Sequence, residues 1–247
     1  MTTIAVLVDP PRPDLVLPDI AETTPLSPEQ CGDLYAAMTR DVVRTITTSG
    51  GDLLVNFRPD ESLPESHRRG EGTAETEIRE VVSSVVDDAR FERQVGETFA
   101  GRAGNTASHL LDAEEVQSVG VLTPEAVFTA RQQVDAAAMK IRTTETVLGP
   151  TTDGRVYYAA FRAEIDFQDA YAHPAVESLT DRTLDMGNDV DFLAYLPVVE
   201  TATDLANAVT TIRTRQRAGS RVPESTAAWL DEVGLFADAD GDLQLDG

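Results

Sequence analysis

Lysine is almost missing from this chain: Lys140 is the only one, and every other basic side chain is an arginine. The bases number 20 against 43 acids, which leaves a formal charge of −23. There is no long basic stripe, the densest cluster being Arg213, Arg215 and Arg217, so no nucleic-acid partner is expected. Cysteine is equally scarce. Cys31 stands alone, which excludes a disulfide framework and any multi-cysteine zinc site. His67, His109 and His173 are far apart and lack metal-ligand spacing. No apolar run reaches membrane-spanning length and the chain does not open on a basic-then-apolar leader, so a soluble, cytoplasmic protein without membrane insertion is expected. No Gly-x-Ser-x-Gly is present to mark a hydrolase nucleophile. Gly101-Arg-Ala-Gly104 lacks the Gly-Lys-Ser/Thr ending of a P-loop and reads as a loop ahead of a helix carrying His109, with Asn105 and Thr106 as candidate donors to a ligand. Asp238–Asp242 opens like a calcium loop, but its glycine sits at the fourth position instead of the sixth, and a solvated acidic tail is the better reading.

What is abundant is acid, spread along the chain instead of gathered in one tail. An acidic surface stripped of lysine is the pattern of a protein kept in solution in molar salt, where self-repulsion is screened and carboxylates hold hydrated cations. The sequence therefore reads as a salt-in halophile's, haloarchaeal in type. Recruitment by basic partners fits the dispersed acids less well.

Apolar periodicity places the elements. Thr3–Val8 is almost continuously apolar, as a buried parallel strand is. Ser27-Pro28-Glu29 pairs an N-cap with a first-position proline and predicts a helix to about Ser49. Asp52–Phe57 reads as a second strand, Glu61–Glu75 as a polar mobile loop, and about Ala74–Ala89 as a helix. Val116–Leu122 reads as a strand, and Thr123-Pro124-Glu125 predicts a helix to about Ala138. Phe192–Val199 reads as a strand and Thr203–Arg217 as a helix. In the tail, Trp229, Leu230, Val233 and Leu235 predict a short amphipathic helix packed on the domain.

The richest stretch is Thr146–Phe161. Two β-type runs flank a loop in which Gly149-Pro150 and Asp153-Gly154 supply turn chemistry and one carboxylate. An ordinary hairpin accounts for this pattern. So does a ligand loop at the mouth of a sheet, with glycines that let a ligand approach the backbone.

Five segments fall in a recognisable order. Ala5–Val8 runs into Asp9-Pro-Pro-Arg12-Pro-Asp14, and Leu26-Ser-Pro-Glu29 leads to Leu34-Tyr35. Gly51-Asp52 opens the second strand, and Val147-Leu-Gly-Pro-x-x-Asp-Gly154 precedes Tyr157-Tyr158. Pro197-Val-Val-Glu200-Thr-Ala-Thr-Asp-Leu205 closes the series. Across about residues 1–210 the chain resembles the small glycosyltransferase-like proteins of nucleotide-diphospho-sugar transferase (GT-A) fold, distant relatives of the 2-phospho-lactate guanylyltransferases. It departs from them where their bases would grip phosphate: those positions hold Asp9, Leu17 and Asp19, with Arg12 the one base left. The family's Gly-Ser-Asp-Ser-Pro segment falls near Gly120–Pro124 without its aspartate.

The alternation of strand and helix predicts an α/β fold, a mostly parallel central sheet with helices on both faces and a short helical C-terminal extension. The expected division is residues 1–214 for the glycosyltransferase-like domain and 215–247 for the extension and acidic tail. The resemblance implies a nucleotide or nucleotide sugar as ligand and transfer of its glycosyl or nucleotidyl group. Asp153 and Glu200 are then the catalytic pair and the holders of Mg²⁺ or Mn²⁺, while Arg12, Thr123, Gly149 and Gly154 contact the ligand. A second reading stays open: a degenerate relative that keeps the fold without turnover and serves as a ligand- or partner-binding module.

Overall fold

The computed structural model describes residues 2–246. Strand β1 (Thr2–Val8) is buried along its whole length and lies inside the sheet, paired on both edges. Its side chains alternate between two cores, Ile4, Val6 and Val8 on one face and Ala5 and Leu7 on the other, which is why the run is apolar without a break. The short helix α1 (Pro18–Thr23) precedes α2 (Pro28–Thr47). The predicted cap of α2 is present and reciprocal: Gln30 N–H donates to Ser27 Oγ at 3.3 Å, and Ser27 N–H donates to Gln30 Oε1 at 2.8 Å.

The order continues through β2 (Asp52–Phe57), α3 (Thr73–Ser83), β3 (Arg90–Arg93), α4 (Phe99–Ser108), β4 (Ser118–Leu122) and α5 (Arg131–Lys140). Next come β5 (Thr146–Pro150), β6 (Val156–Phe161), α6 (Ala175–Asp185), β7 (Val190–Phe192) and α7 (Ala202–Arg217). The seven strands lie in the order β3-β2-β1-β4-β6-β5-β7. All neighbours are parallel except β6, which runs antiparallel to both β4 and β5. One face packs against α2, α3, α5 and α7, and the other against α4 and α6. The fold is α/β with a mostly parallel central sheet, as expected.

Several boundaries moved, each for a packing reason. The helix expected from Pro124 begins only at Arg131, because Thr123–Ala130 makes two turns that bury Val127 and Phe128 in the core. Val199 N–H donates to the Glu125 carbonyl at 3.0 Å and pins that segment in place. Gly101–Asn105 lies inside α4 instead of in a loop; Asn105 donates to the Val95 carbonyl at 2.8 Å, and the buried Thr106 donates to Asn56 Oδ1 at 2.9 Å. Asp60–Ser62 and Glu65–His67 form 3₁₀ turns within the stretch read as mobile.

The extension consists of α8 (Glu224–Val233) and a hairpin of β8 (Leu235–Ala237) and β9 (Leu243–Leu245). Trp229, Leu230, Leu235 and Leu243 join the same apolar cluster as α2 and α7. Helix α8 has no side-chain cap of its own; Asp41 of α2 accepts from Ser225 N–H at 2.8 Å and from Thr226 N–H at 2.7 Å. Asp238 accepts from the amides of Asp240 and Asp242, both at 3.0 Å, and so shapes the hairpin turn itself.

Candidate active site

Parallel sheets bind ligands beyond the carboxyl ends of their strands. Here that edge holds a cleft of about 470 Å³, framed by the end of β4, the start of β6, the first residues of α1, α4 and α6, and Glu200 just ahead of α7. Thr123, Glu125, Arg155 and Glu200 form its polar wall. Phe99 and Tyr171 form an apolar wall, meeting edge to face with ring centroids 4.9 Å apart.

Glu125 is the cleft carboxylate with the most altered acidity. Burial pushes it up to about 7; the Thr123 side chain pulls it back, while the charges of Glu200 and Asp9 push it further up. Asp9, at the end of β1, is also raised by burial, against the pull of Arg58 and Arg102. Arg58 Nη1 lies 3.4 Å from Asp9 Oδ2. Arg102, only 8% exposed, donates to the Glu97 carbonyl and leaves its Nε without a partner. Burial and the neighbouring Arg58 both lower its proton affinity. None of Arg58, Arg102, Glu125 and Arg155 carries a local sequence signature, and the sequence reading missed them all.

Of the expected residues, Thr123 and Glu200 line the cleft. Arg12 does not. It is 1% exposed, with Nη1 on Asp60 at 2.9 Å and on the His67 carbonyl, and Nε on Glu77 at 2.8 Å. Asp60 in turn accepts from Ala74 N–H at 2.8 Å and so caps α3. Arg12 is therefore a structural staple that orders residues 60–77, and its expected phosphate contact is corrected. The glycines also serve packing. A Cβ on Gly149 would lie 2.6 Å from the Tyr157 ring, and one on Gly154, at φ +66°, would lie 2.6 Å from Pro174 Cβ. Gly149 instead marks a bulge between β5 and β6, which form the antiparallel hairpin.

Asp153 stands at the rim, 78% exposed and in the left-handed region at φ 56°. Between it and Glu200 sits Arg155. Its Nη1 meets Glu200 Oε2 at 2.7 Å, and its Nη2 meets Asp204 Oδ2 at 3.1 Å and Asp153 Oδ2 at 3.8 Å. The expected pair does not fit a divalent ion, because a guanidinium already fills the space between the two carboxylates. Elsewhere, Glu92, His109 and Glu114 offer ligand atoms within 4.8 Å of one another beside the edge strand β3, and Arg90 pairs with both of those carboxylates.

No family model matches the chain, and no curated protein matches it. Solved structures do. A presumed nucleotide-diphospho-sugar transferase from Desulfovibrio desulfuricans G20 superposes with TM-score 0.76 at 18% identity, over 94% of each chain. The 4-diphosphocytidyl-2C-methyl-D-erythritol synthase of Anaerococcus prevotii DSM 20548 gives TM-score 0.51 at 13% identity, covering 86% of this chain and 96% of its own. A cytidylyltransferase of Leptospira borgpetersenii serovar Hardjo-bovis gives 0.51 at 8% identity over 94% of each chain. The likeness is one of fold: this chain has a nucleotide-diphospho-sugar transferase-like fold. Among the described residues no helix is long and apolar enough to cross a membrane.

Proposed function

We propose that the chain takes an activated nucleotide, a nucleoside triphosphate or a nucleotide sugar, into the cleft at the strand ends and transfers its nucleotidyl or glycosyl group. The observation that carries this reading is a cleft at the strand ends walled by Thr123, Glu125, Arg155 and Glu200, in which burial pushes Glu125 up to about 7, with Arg58 and Arg102 acting on the nearby Asp9. Arg58 and Arg102 offer positive charge to phosphate oxygens. Glu125 accepts the proton of an attacking hydroxyl as the bond to the leaving phosphate breaks, a role suited to a group titrating near the working pH. Glu200 lines the same wall, and the exposed Asp153 orients the acceptor at the mouth. The Phe99–Tyr171 wall supports a sugar or base face.

Calorimetry in multimolar KCl, with nucleoside triphosphates and nucleotide sugars, tests this. Binding weakened by Arg58→Gln, with turnover lost but binding kept in Glu125→Gln, is the expected outcome. A folded protein that binds no nucleotide overturns the reading.

The alternative, a non-catalytic module, is favoured by one observation: the acids Asp19, Glu125 and Glu200 outnumber the one cation, Arg155, in the lining of the cleft. Nucleotide binding by the wild type without measurable transfer to any acceptor would select it.

A further inference from the structure

We infer that Arg155 is the resident cation of this cleft, standing where a divalent ion would have to sit, and that the chain takes its ligand without one. The second clause rests on the nucleotide reading above; the first stands on geometry alone. Three carboxylates from two separate segments converge on a single guanidinium. Glu200 meets Nη1 at 2.7 Å, and Asp204 places Oδ2 and Oδ1 at 3.1 and 3.3 Å from Nη2, with Asp153 at 3.8 Å. That is the donor set an oxygen-ligated ion would use, already taken by a fixed positive charge. A second cation, with oxygen ligands at about 2.0–2.1 Å, would have to displace Arg155 or sit against it.

Arg155 is held firmly. Its Nε donates to the Thr152 carbonyl at 3.2 Å and its Nη2 to Thr152 Oγ1 at 2.7 Å. Asp204 is committed as well: it accepts from Thr201 N–H at 3.1 Å and Glu200 N–H at 3.3 Å, closing the cap of α7. The loop after β5 and the start of α7 are thus fastened to one another through one side chain. Freeing these acids for a metal would dismantle a helix cap as well as an ion pair.

The other acids in and near the cleft are not gathered on one point in this way. Asp9 is paired with Arg58, and Asp19 accepts from Ala202 N–H at 3.2 Å at the start of α7. Among the described residues neither Asp19 nor Glu125 is in an ion pair. Arg155 keeps access to the cleft, being 19% exposed, and a guanidinium has five N–H donors, so one Nη1 hydrogen is left for a ligand oxygen. A guanidinium also stays charged throughout the working pH range, so this positive charge cannot be lost to a chelator or to alkali.

The test counts bound Mn²⁺ by electron paramagnetic resonance, which needs no activity. Wild type and Glu200→Gln should bind the same number of ions, Arg155→Ala should gain one, and Arg155→Ala/Glu200→Gln should lose it again. A wild-type ion that disappears in Glu200→Gln overturns the inference. Should Arg155→Ala fail to fold, the comparison of wild type with Glu200→Gln decides alone. In parallel, wild-type nucleotide affinity should change by less than about twofold, roughly 0.4 kcal/mol, between EDTA and Mg²⁺. Binding abolished by EDTA overturns metal independence. No nucleotide binding in either buffer sinks the proposed function and leaves the Mn²⁺ count to judge Arg155.

Discussion

At the scale of single residues, Glu125 couples the cleft to stability. Its folded-state pKa is about 7, raised first by burial and then by Glu200 and Asp9. The folded protein therefore holds this proton more tightly than the unfolded chain does. The resulting stability is fully present below the unfolded value, about 4.5, and is lost as pH rises through about 7. Glu125→Gln removes the charge that burial penalises. The variant should melt higher than wild type near pH 8 and show no such gain near pH 4.5, by calorimetric scans across that range. An equal shift at both ends would mean that Glu125 titrates as an ordinary surface acid. Arg12 teaches the opposite lesson. A conspicuous position in a motif does not place a side chain in a site when Asp60 and Glu77, 48 and 65 residues away, are there to bury it.

At the scale of elements, the β5–β6 hairpin depends on the absence of a side chain at Gly149. A Cβ there would meet three carbons of the Tyr157 ring at 2.6–3.0 Å. Tyr157 cannot yield freely, since its hydroxyl donates to the Ala194 carbonyl at 3.1 Å and its ring belongs to the main core. Gly149→Ala should cost about 1–3 kcal/mol in urea unfolding, as overpacking does. A neutral result would show that the ring relaxes and that the glycine has some other purpose. Elements with strong apolar periodicity were legible before any coordinates: β1, β2, β4, the hairpin and the capped start of α2. The edge strand β3 was not, because Arg-Phe-Glu-Arg is half solvated and presents no apolar run. Helix α4 was hidden by its glycines, which pack against Phe167 and the Thr98 cap. Of the expected site residues, Thr123, from its place at a strand end, and Glu200, from the family resemblance, fall in the cleft lining. Arg58, Arg102, Glu125 and Arg155 were not legible, since their meaning comes from neighbours distant in sequence.

At the scale of the whole molecule, charge dominates. A net −23 on 247 residues means strong self-repulsion in dilute salt, and only part of it is relieved by pairs such as Arg155 with Glu200. If the acidic surface is an adaptation to molar salt, the melting temperature should climb between about 0.1 M and 3 M KCl, as screening shortens from roughly 10 Å to below 3 Å. Thermal scans over that series would decide it, and a flat or falling curve would remove the halophilic reading.

The cap on helix α8 ties that helix to a distant part of the chain. Its acid belongs to Asp41, 184 and 185 residues before the amides it receives. A ten-residue helix preceded by Pro223 has little stability on its own. The carboxylate of Asp41 and the shared apolar cluster around Trp229 and Leu230 supply what the segment lacks, so α8 borrows its order from α2.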